Sequence, residues 1–190
     1  MRTTKRGWRA AAVLGVMVVF LMVAVLPRAA SAASASNIDT EATAALHRLY
    51  ASNSAAKLLG EKAKAVLVFP KVKKGGFMVG GLRGHGALRR GDKTLGYYKI
   101  AAVSFGLQAG GEEFGYALFF MTQRAMAYLD QNGGWAVGTG PSVVVVDAGV
   151  AESLDARSLN SDVYVVTFDQ RGLMGGIGIE GSKITRTYPH

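Results

Sequence analysis

Six basic side chains fall within twenty residues: Lys71, Lys73 and Lys74 follow Phe69-Pro70, and Arg83, Arg89 and Arg90 come next. Cations at this density suit an anionic surface, whether phospholipid head groups, phosphoinositide-like ligands or nucleic acid. Each such side chain near an anionic membrane contributes about 1 kcal/mol, so a cluster gives useful, salt-sensitive binding. The competing reading is a solvated edge whose lysines block strand aggregation. A hairpin across Lys74-Gly75-Gly76 would gather these cations.

Other chemistries find fewer residues. The run Gly80-Gly81-Leu82-Arg83-Gly84-His85-Gly86 is neither G-x-G-x-x-G nor a Walker loop, and it falls within a strand pattern. A phosphate cradle must instead open onto a helix N-terminus. There is no G-x-S-x-G elbow, and the histidines are only His47, His85 and His190. A hydrolase would have to combine His85 with Ser104 and an acid such as Asp92. Three scattered histidines make a poor metal site. Glu112-Glu113 reads as turn polarity, not as an acid–base pair. The absence of cysteine excludes a thiolate metal site, a cysteine nucleophile and a lipid-modified cysteine. The expectation is a binding protein without catalytic residues, cofactor or metal.

The elements that must position the cations begin after an export segment. Arg2, Lys5, Arg6 and Arg9 precede an unbroken apolar run from Ala10 to Leu26, closed by Pro27. Small-residue cleavage patterns follow at Ala30-Ser31-Ala32 and Ala33-Ser34-Ala35, so residues 1–32 read as a signal peptide and 33–190 as one mature domain. Left uncleaved, the run would act as a membrane anchor, since its length reaches the short edge of a spanning helix. Cleavage near Ala32 lowers the formal charge from +9 to +4, seventeen basic against thirteen acidic residues. The location expected is periplasmic or secreted.

In the mature part, Ile38, Ala42, Ala45, Leu46 and Leu49 recur near the helical period. A second short helix follows Asn53 or Ser54 as cap, buries Leu58 and Leu59, and stops at Gly60. A third runs from Thr122 as cap to Asn132-Gly133, burying Ala125, Met126 and Leu129. Between and after them lie eight strand patterns: Ala65 to Phe69, Phe77 to Arg89, Leu95 to Gly110, Phe114 to Met121, Ser142 to Asp147, Asp162 to Phe168, Leu173 to Ile179, and Lys183 to Tyr188. Turn residues at 90–93, 110–113, 169–172 and 180–182 suggest hairpins, and Ala151 to Ser161 reads as a polar loop. The fold class is α+β: a strongly curved antiparallel sheet or barrel of about eight strands, packed by two N-terminal helices and one middle helix. Period-2 parity puts Gly80, Gly84 and Gly86 on one face with Met78, Leu82 and Leu88, a face able to accept another backbone or helix at very close range. The other face carries Phe77, Val79, Arg83, His85 and Arg89. Most aromatics read as core, with Tyr97 or Tyr98 a candidate membrane-interface residue.

Several blocks, taken in order, resemble the SYLF domain family. They are Ala65-Val-Leu-Val-Phe-Pro70, Lys74-Gly-Gly-Phe-Met-Val-Gly-Gly81 with Gly84-His-Gly86, Ser104-Phe-Gly-Leu-Gln-Ala-Gly-Gly-Glu112, and Gly172-Leu-Met-Gly-Gly-Ile-Gly-Ile-Glu-Gly-Ser182. The resemblance runs from about Asn53 to Ile184. It implies a lipid-binding domain: eukaryotic members bind phosphoinositide membranes, some bind actin filaments, and bacterial members are commonly exported. The basic amphipathic membrane helix of eukaryotic members is not matched here, because Ile38 to Tyr50 offers only Arg48 and His47 as cations.

The combined expectation is an exported protein that contacts anionic membrane lipids through Lys71, Lys73, Lys74, Arg83 and Arg89. Export argues against nucleic acid and actin as partners. The alternative is an envelope structural or stress protein that binds a protein partner instead of lipid.

Overall fold

The computed structural model describes residues 34–147, 150–151, 154–155, 159–172 and 181–190. The segment expected to direct export and the strand expected from Leu173 to Ile179 lie outside these, as do the side chains of Phe77, Val79 and Ser104. Among the described residues, no helix is long and apolar enough to cross a membrane.

Helix α1 (Ala35–Ser52) begins where Ser34 Oγ accepts from the Asn37 N–H at 3.2 Å. Its apolar residues Ile38, Ala42, Ala45, Leu46 and Leu49 are all buried, as their spacing requires. Asn53 both ends this helix and starts the next. Its N–H donates to Leu49 O at 2.9 Å, and its Oδ1 accepts from the Ala56 N–H at 2.8 Å, opening α2 (Ser54–Lys62). Helix α2 buries Leu59 but leaves Leu58 half-buried, and it runs past Gly60 to Lys62. Gly60 serves space rather than termination: a Cβ there would lie 2.5 Å from the Tyr50 hydroxyl oxygen. Removing the double role of Asn53 should be measurable. Asn53→Ala is expected to cost about 1 kcal/mol, roughly 2–4 °C in melting temperature for a domain of this size, while Asn53→Asp retains most of it. Thermal unfolding followed by circular dichroism reads this directly.

The strands differ from their prediction in continuity. Strand β1 (Ala65–Arg90) takes up the first two predicted segments, and β2 (Lys93–Phe120) the next two. They pair antiparallel along their whole length through the Gly91-Asp92 turn, forming one long ribbon. Register shifts interrupt it at 69/72, 77/79 and 88/89. Near Phe77 the ribbon bends over, and the far half of β1 lies against its own near half. A Cβ on Gly84 would come within 3.0 Å of Lys71 O, and one on Gly86 would collide with Val68 O and the Phe69 ring. The closely approaching backbone anticipated from glycine parity is therefore the same strand.

With β1 covering one edge of β2, the other edge is shared: β6 (Lys183–Thr187) pairs with residues 97–101 and β5 (Val163–Gly172) with residues 112–120. The short β3 (Trp135–Ala136) extends the sheet beyond β6, and β4 (Val143–Val145) beyond β5. The β4–β5 pair is parallel, so the curved sheet is mixed where antiparallel pairing alone was expected. The long crossover from Val146 to Asp162 permits this, since parallel neighbours need one. No turn forms at 110–113 or 169–172; β2 and β5 continue through them.

Alternation along the strands feeds two cores. Leu67, Phe69, Tyr116, Leu118 and Phe120 pack inside the curved sheet with Tyr98, Ile100 and Trp135. Val66, Val68, Ala117 and Phe119 face outward and are roofed by α1 and α2. Burying such side chains contributes about 1.5–3 kcal/mol each, which is why the near half of the ribbon reads as continuously apolar.

The middle helix α3 (Gln123–Ala127) is capped as predicted, Thr122 Oγ1 accepting from the Ala125 N–H at 3.1 Å, but it tightens into a 3-10 turn over Tyr128–Asp130. Asp162 joins this cap to β4 and β5. Its carboxylate accepts from the Ser142 N–H and hydroxyl at 3.2 Å each, the Thr122 hydroxyl at 3.0 Å and Arg124 at 3.3 Å. The Ser142 N–H, then the Thr122 hydroxyl and Arg124, hold this carboxyl below its ordinary pKa. Because folding lowers this pKa, the linked stability is complete above the unfolded value and is lost as pH falls through the folded one. Asp162→Asn should therefore narrow the difference between neutral and acid melting temperatures, read in thermal melts from about pH 6 to pH 2.

Candidate functional site

The bend in the ribbon, rather than a hairpin, gathers the basic residues. Gly75 and Gly76 pair across the ladder with Gly111 and Gly110. These two glycine pairs each resemble a turn in sequence, but they face one another in a stretch of bare backbone where the β1–β2 ladder continues unbroken into the bend. Past the bend, Lys73, Lys74 and Gly75 on the near limb face Gly81, Leu82 and Arg83 on the far limb. Together they border an open cleft of about 400 Å³. Leu82 is buried, and Lys73 and Arg83 are exposed. Lys73 lies 3.8 Å from its cross-strand neighbour Glu113, an exposed pair of small energetic weight.

The other two cations of the expected lipid-binding set, Lys71 and Arg89, stand apart. Lys71 Nζ bonds Glu41 Oε1 of α1 at 2.8 Å and so helps hold the helix. Arg89 is 8% exposed. Its Nη1 donates to Thr94 Oγ1 at 2.7 Å and faces Asp39 of α1 at 3.5 Å, and its Nη2 donates to Asp92 O at 2.9 Å. The parity that placed Arg89 with Arg83 and His85 holds, but α1 covers this end of the face. Asp39 also accepts from Thr94 at 2.6 Å and from the Tyr97 hydroxyl at 2.8 Å. Tyr97 therefore clamps the helix. Tyr98 is buried with its hydroxyl 3.4 Å from Asp130, and burial together with that carboxylate pushes its pKa up to about 12. Neither tyrosine is presented as a membrane-interface residue.

Two residues belong to the site that sequence reasoning passed over. On the exposed face, Val103 sits opposite Gly81, Ala101 opposite Arg83 and Lys99 opposite His85. Lys99 thus adds a cation diagonal to Arg83. Val103 is 70% exposed, beside a glycine that cannot cover it. The clue was available in the glycine itself, since a residue without a side chain leaves its cross-strand neighbour bare. The hydrolase grouping is not assembled along the ribbon. Ser104 pairs with Gly80 and His85 with Lys99, five positions apart, or about 16 Å at the rise of a strand.

Residues 101–188 match the family described as Ysc84, Las17-binding protein actin regulator. Over these residues the chain matches the SYLF domain family. No curated protein matches the chain. The family match begins within β2 and takes in β3 to β6, whereas the SYLF-like blocks of β1, including the cleft cations, precede it. The cleft is thus built by pairing β1 with the first part of the matched region, Gly81 against Val103 and Leu82 against Ala102.

Proposed function

We propose that this SYLF protein is an exported lipid-binding protein, without catalytic activity of its own, that meets anionic phospholipid or phosphoinositide-like head groups at the bend of its β1–β2 ribbon. The observation that carries the reading is the convergence of Lys73, Lys74 and Arg83 on one open cleft, with Lys99 and the bare Val103 on the adjoining face. Cations draw the anionic surface, and the valine supplies an apolar contact at the same end of the molecule. The export reading rests on the basic and apolar pattern of residues 1–32, and it sets the protein where such surfaces are within reach. Family association with lipid binding supports the same ligand class; the actin-regulator description belongs to the family and finds no compartment here if the leader acts as one.

Co-sedimentation of the purified chain with vesicles tests this. Phosphatidylcholine vesicles with phosphatidylglycerol should pull the protein down at low salt and less so at high salt, because surface charge is screened. Equal capture by pure phosphatidylcholine, or capture by neither, would reject the charge-based reading.

A further inference from the structure

The outward side of the sheet, roofed by α1 and α2 elsewhere, is bare past the end of α1, and there it continues from β2 onto β6. Directly opposed residues of neighbouring strands share a face. Across the three strands Arg83 is opposed by Ala101 and that by Lys183, and His85 by Lys99 and that by Thr185. The row between them, Gly84, Ile100 and Ile184, points the other way and is buried. Lys183 therefore joins Arg83 and Lys99 on one outward face, and all three are exposed. Arg83 and Lys183 stand two strands apart, about 10 Å, with Lys99 one row on, about 7 Å along β2. These spacings fall within about one Debye length, so the three charges act on a facing surface as one patch. Neither row contains a carboxylate. The next row, Ala87 and Tyr97, is covered by α1, whose Asp39 accepts from Tyr97 and is matched in charge by Arg89. Lys71, Lys73 and Arg186 each have a carboxylate partner, whereas Arg83, Lys99 and Lys183 form no ion pair or side-chain hydrogen bond among the described residues.

We propose that the protein lies with this β1–β2–β6 face against an anionic bilayer, Lys99 and Lys183 meeting head groups together with Arg83. Unspent cations without a carboxylate among them complement a negative surface. Val103, 70% exposed one row beyond Arg83, favours a bilayer over a soluble polyanion, which would leave this apolar side chain without a partner. Arg83 also borders the cleft at the bend, so face and cleft are continuous. The cleft then stands at the rim of the contact rather than at its centre. This inference rests on the lipid-binding reading and adds to it the orientation of the domain and a contact residue, Lys183, from the far end of the chain. It also sets α1 beside the contact instead of beneath it, since the bare rows begin where the helix stops covering the sheet.

The chain contains no cysteine, so Ala101→Cys, Val103→Cys and Val145→Cys can each carry a single bimane label, the last on β4 as a control away from the face. The probe is a phosphatidylcholine vesicle with phosphatidylglycerol and a trace of lipid bearing a head-group nitroxide. On binding, the labels at 101 and 103 should be strongly quenched and the label at 145 little. Lys99→Gln combined with Lys183→Gln, both exposed changes, should weaken capture about thirtyfold, the share of two cations, while the melting temperature stays unchanged. Capture with equal quenching at all three positions, or capture indifferent to the double variant, overturns the orientation and leaves lipid binding standing. Equal affinity for soluble polyphosphate and for vesicles would make the face a polyanion site and overturn the bilayer as its occupant. Failure of the unaltered chain to bind these vesicles at all overturns both readings together.

Discussion

Replacing Gly86 by valine is expected to lower the melting temperature by about 10 °C, a larger loss than substitution at Gly84 or Gly81 produces. A Cβ at this position has no room, because Val68 O and the Phe69 ring already occupy it. The obstacle is the backbone of the same strand, which cannot rotate away as a flexible side chain would. Relief requires the two halves of the ribbon to separate, and that opens the contact over which Leu82, Leu88 and Val72 are buried. Overpacking of this kind costs roughly 3 kcal/mol or more, and each 1 kcal/mol moves the midpoint by about 2–4 °C at this domain size. Gly84→Ala should cost less, since its nearest atom is Lys71 O at 3.0 Å. Gly81→Ala should be close to neutral, because nothing lies nearer than Ala102 O at 3.8 Å and the site is exposed. A graded series Gly86 > Gly84 > Gly81 in thermal melts would establish the fold-back. Equal effects at all three would contradict it.

The same glycines show how far the sequence could be read. Parity along β1 was enough to say that Gly84 and Gly86 look toward a close backbone, because strand alternation is a local rule. It could not say whose backbone, since that depends on where the ribbon bends. A bend near Phe77 has no residue signature comparable to a proline or an Asn-Gly turn. Gly75-Gly76 and Gly110-Gly111 misled in a related way. Each pair supplies the dihedral freedom of a turn, yet facing each other they serve a continuous ladder that must coil. The helices were more legible: Asn53 and Thr122 cap as their residue types suggest, although the cap of α1 at Ser34 was not read from the sequence. Arg89 marks the limit for the site. Its face was read correctly, but whether a face meets solvent or α1 is decided by a contact between residues fifty positions apart. Short-range patterns carry no information about that docking.

The second large effect concerns the bend. Replacing Lys73, Lys74 and Arg83 together by Gln should reduce partitioning onto anionic vesicles by about a hundredfold, with little change in stability. Each cation near an anionic surface is worth about 1 kcal/mol, and three correspond to roughly two powers of ten in affinity. At Lys73 and Arg83 the stability cost is small because both are exposed and the contact of Lys73 with Glu113 is a long surface pair, and the half-buried Lys74 carries most of what cost there is. Residual binding by the triple variant should also lose most of its salt dependence, since the screened interaction has been removed. Arg89→Gln provides the contrast. It should lower the melting temperature, because Thr94, Asp92 O and Asp39 lose their shared donor, yet leave vesicle binding of the folded fraction unchanged. Val103→Asn separates the apolar contribution without changing charge: the side chain is 70% exposed, so folding should be unaffected, while capture at high salt, where the charge term is screened, should fall further than capture at low salt. If the triple variant sediments with anionic vesicles as well as the unaltered chain does, the bend is not the membrane-facing end. If Arg89→Gln is the variant that loses binding, head-group recognition lies instead at the α1 end of the strand.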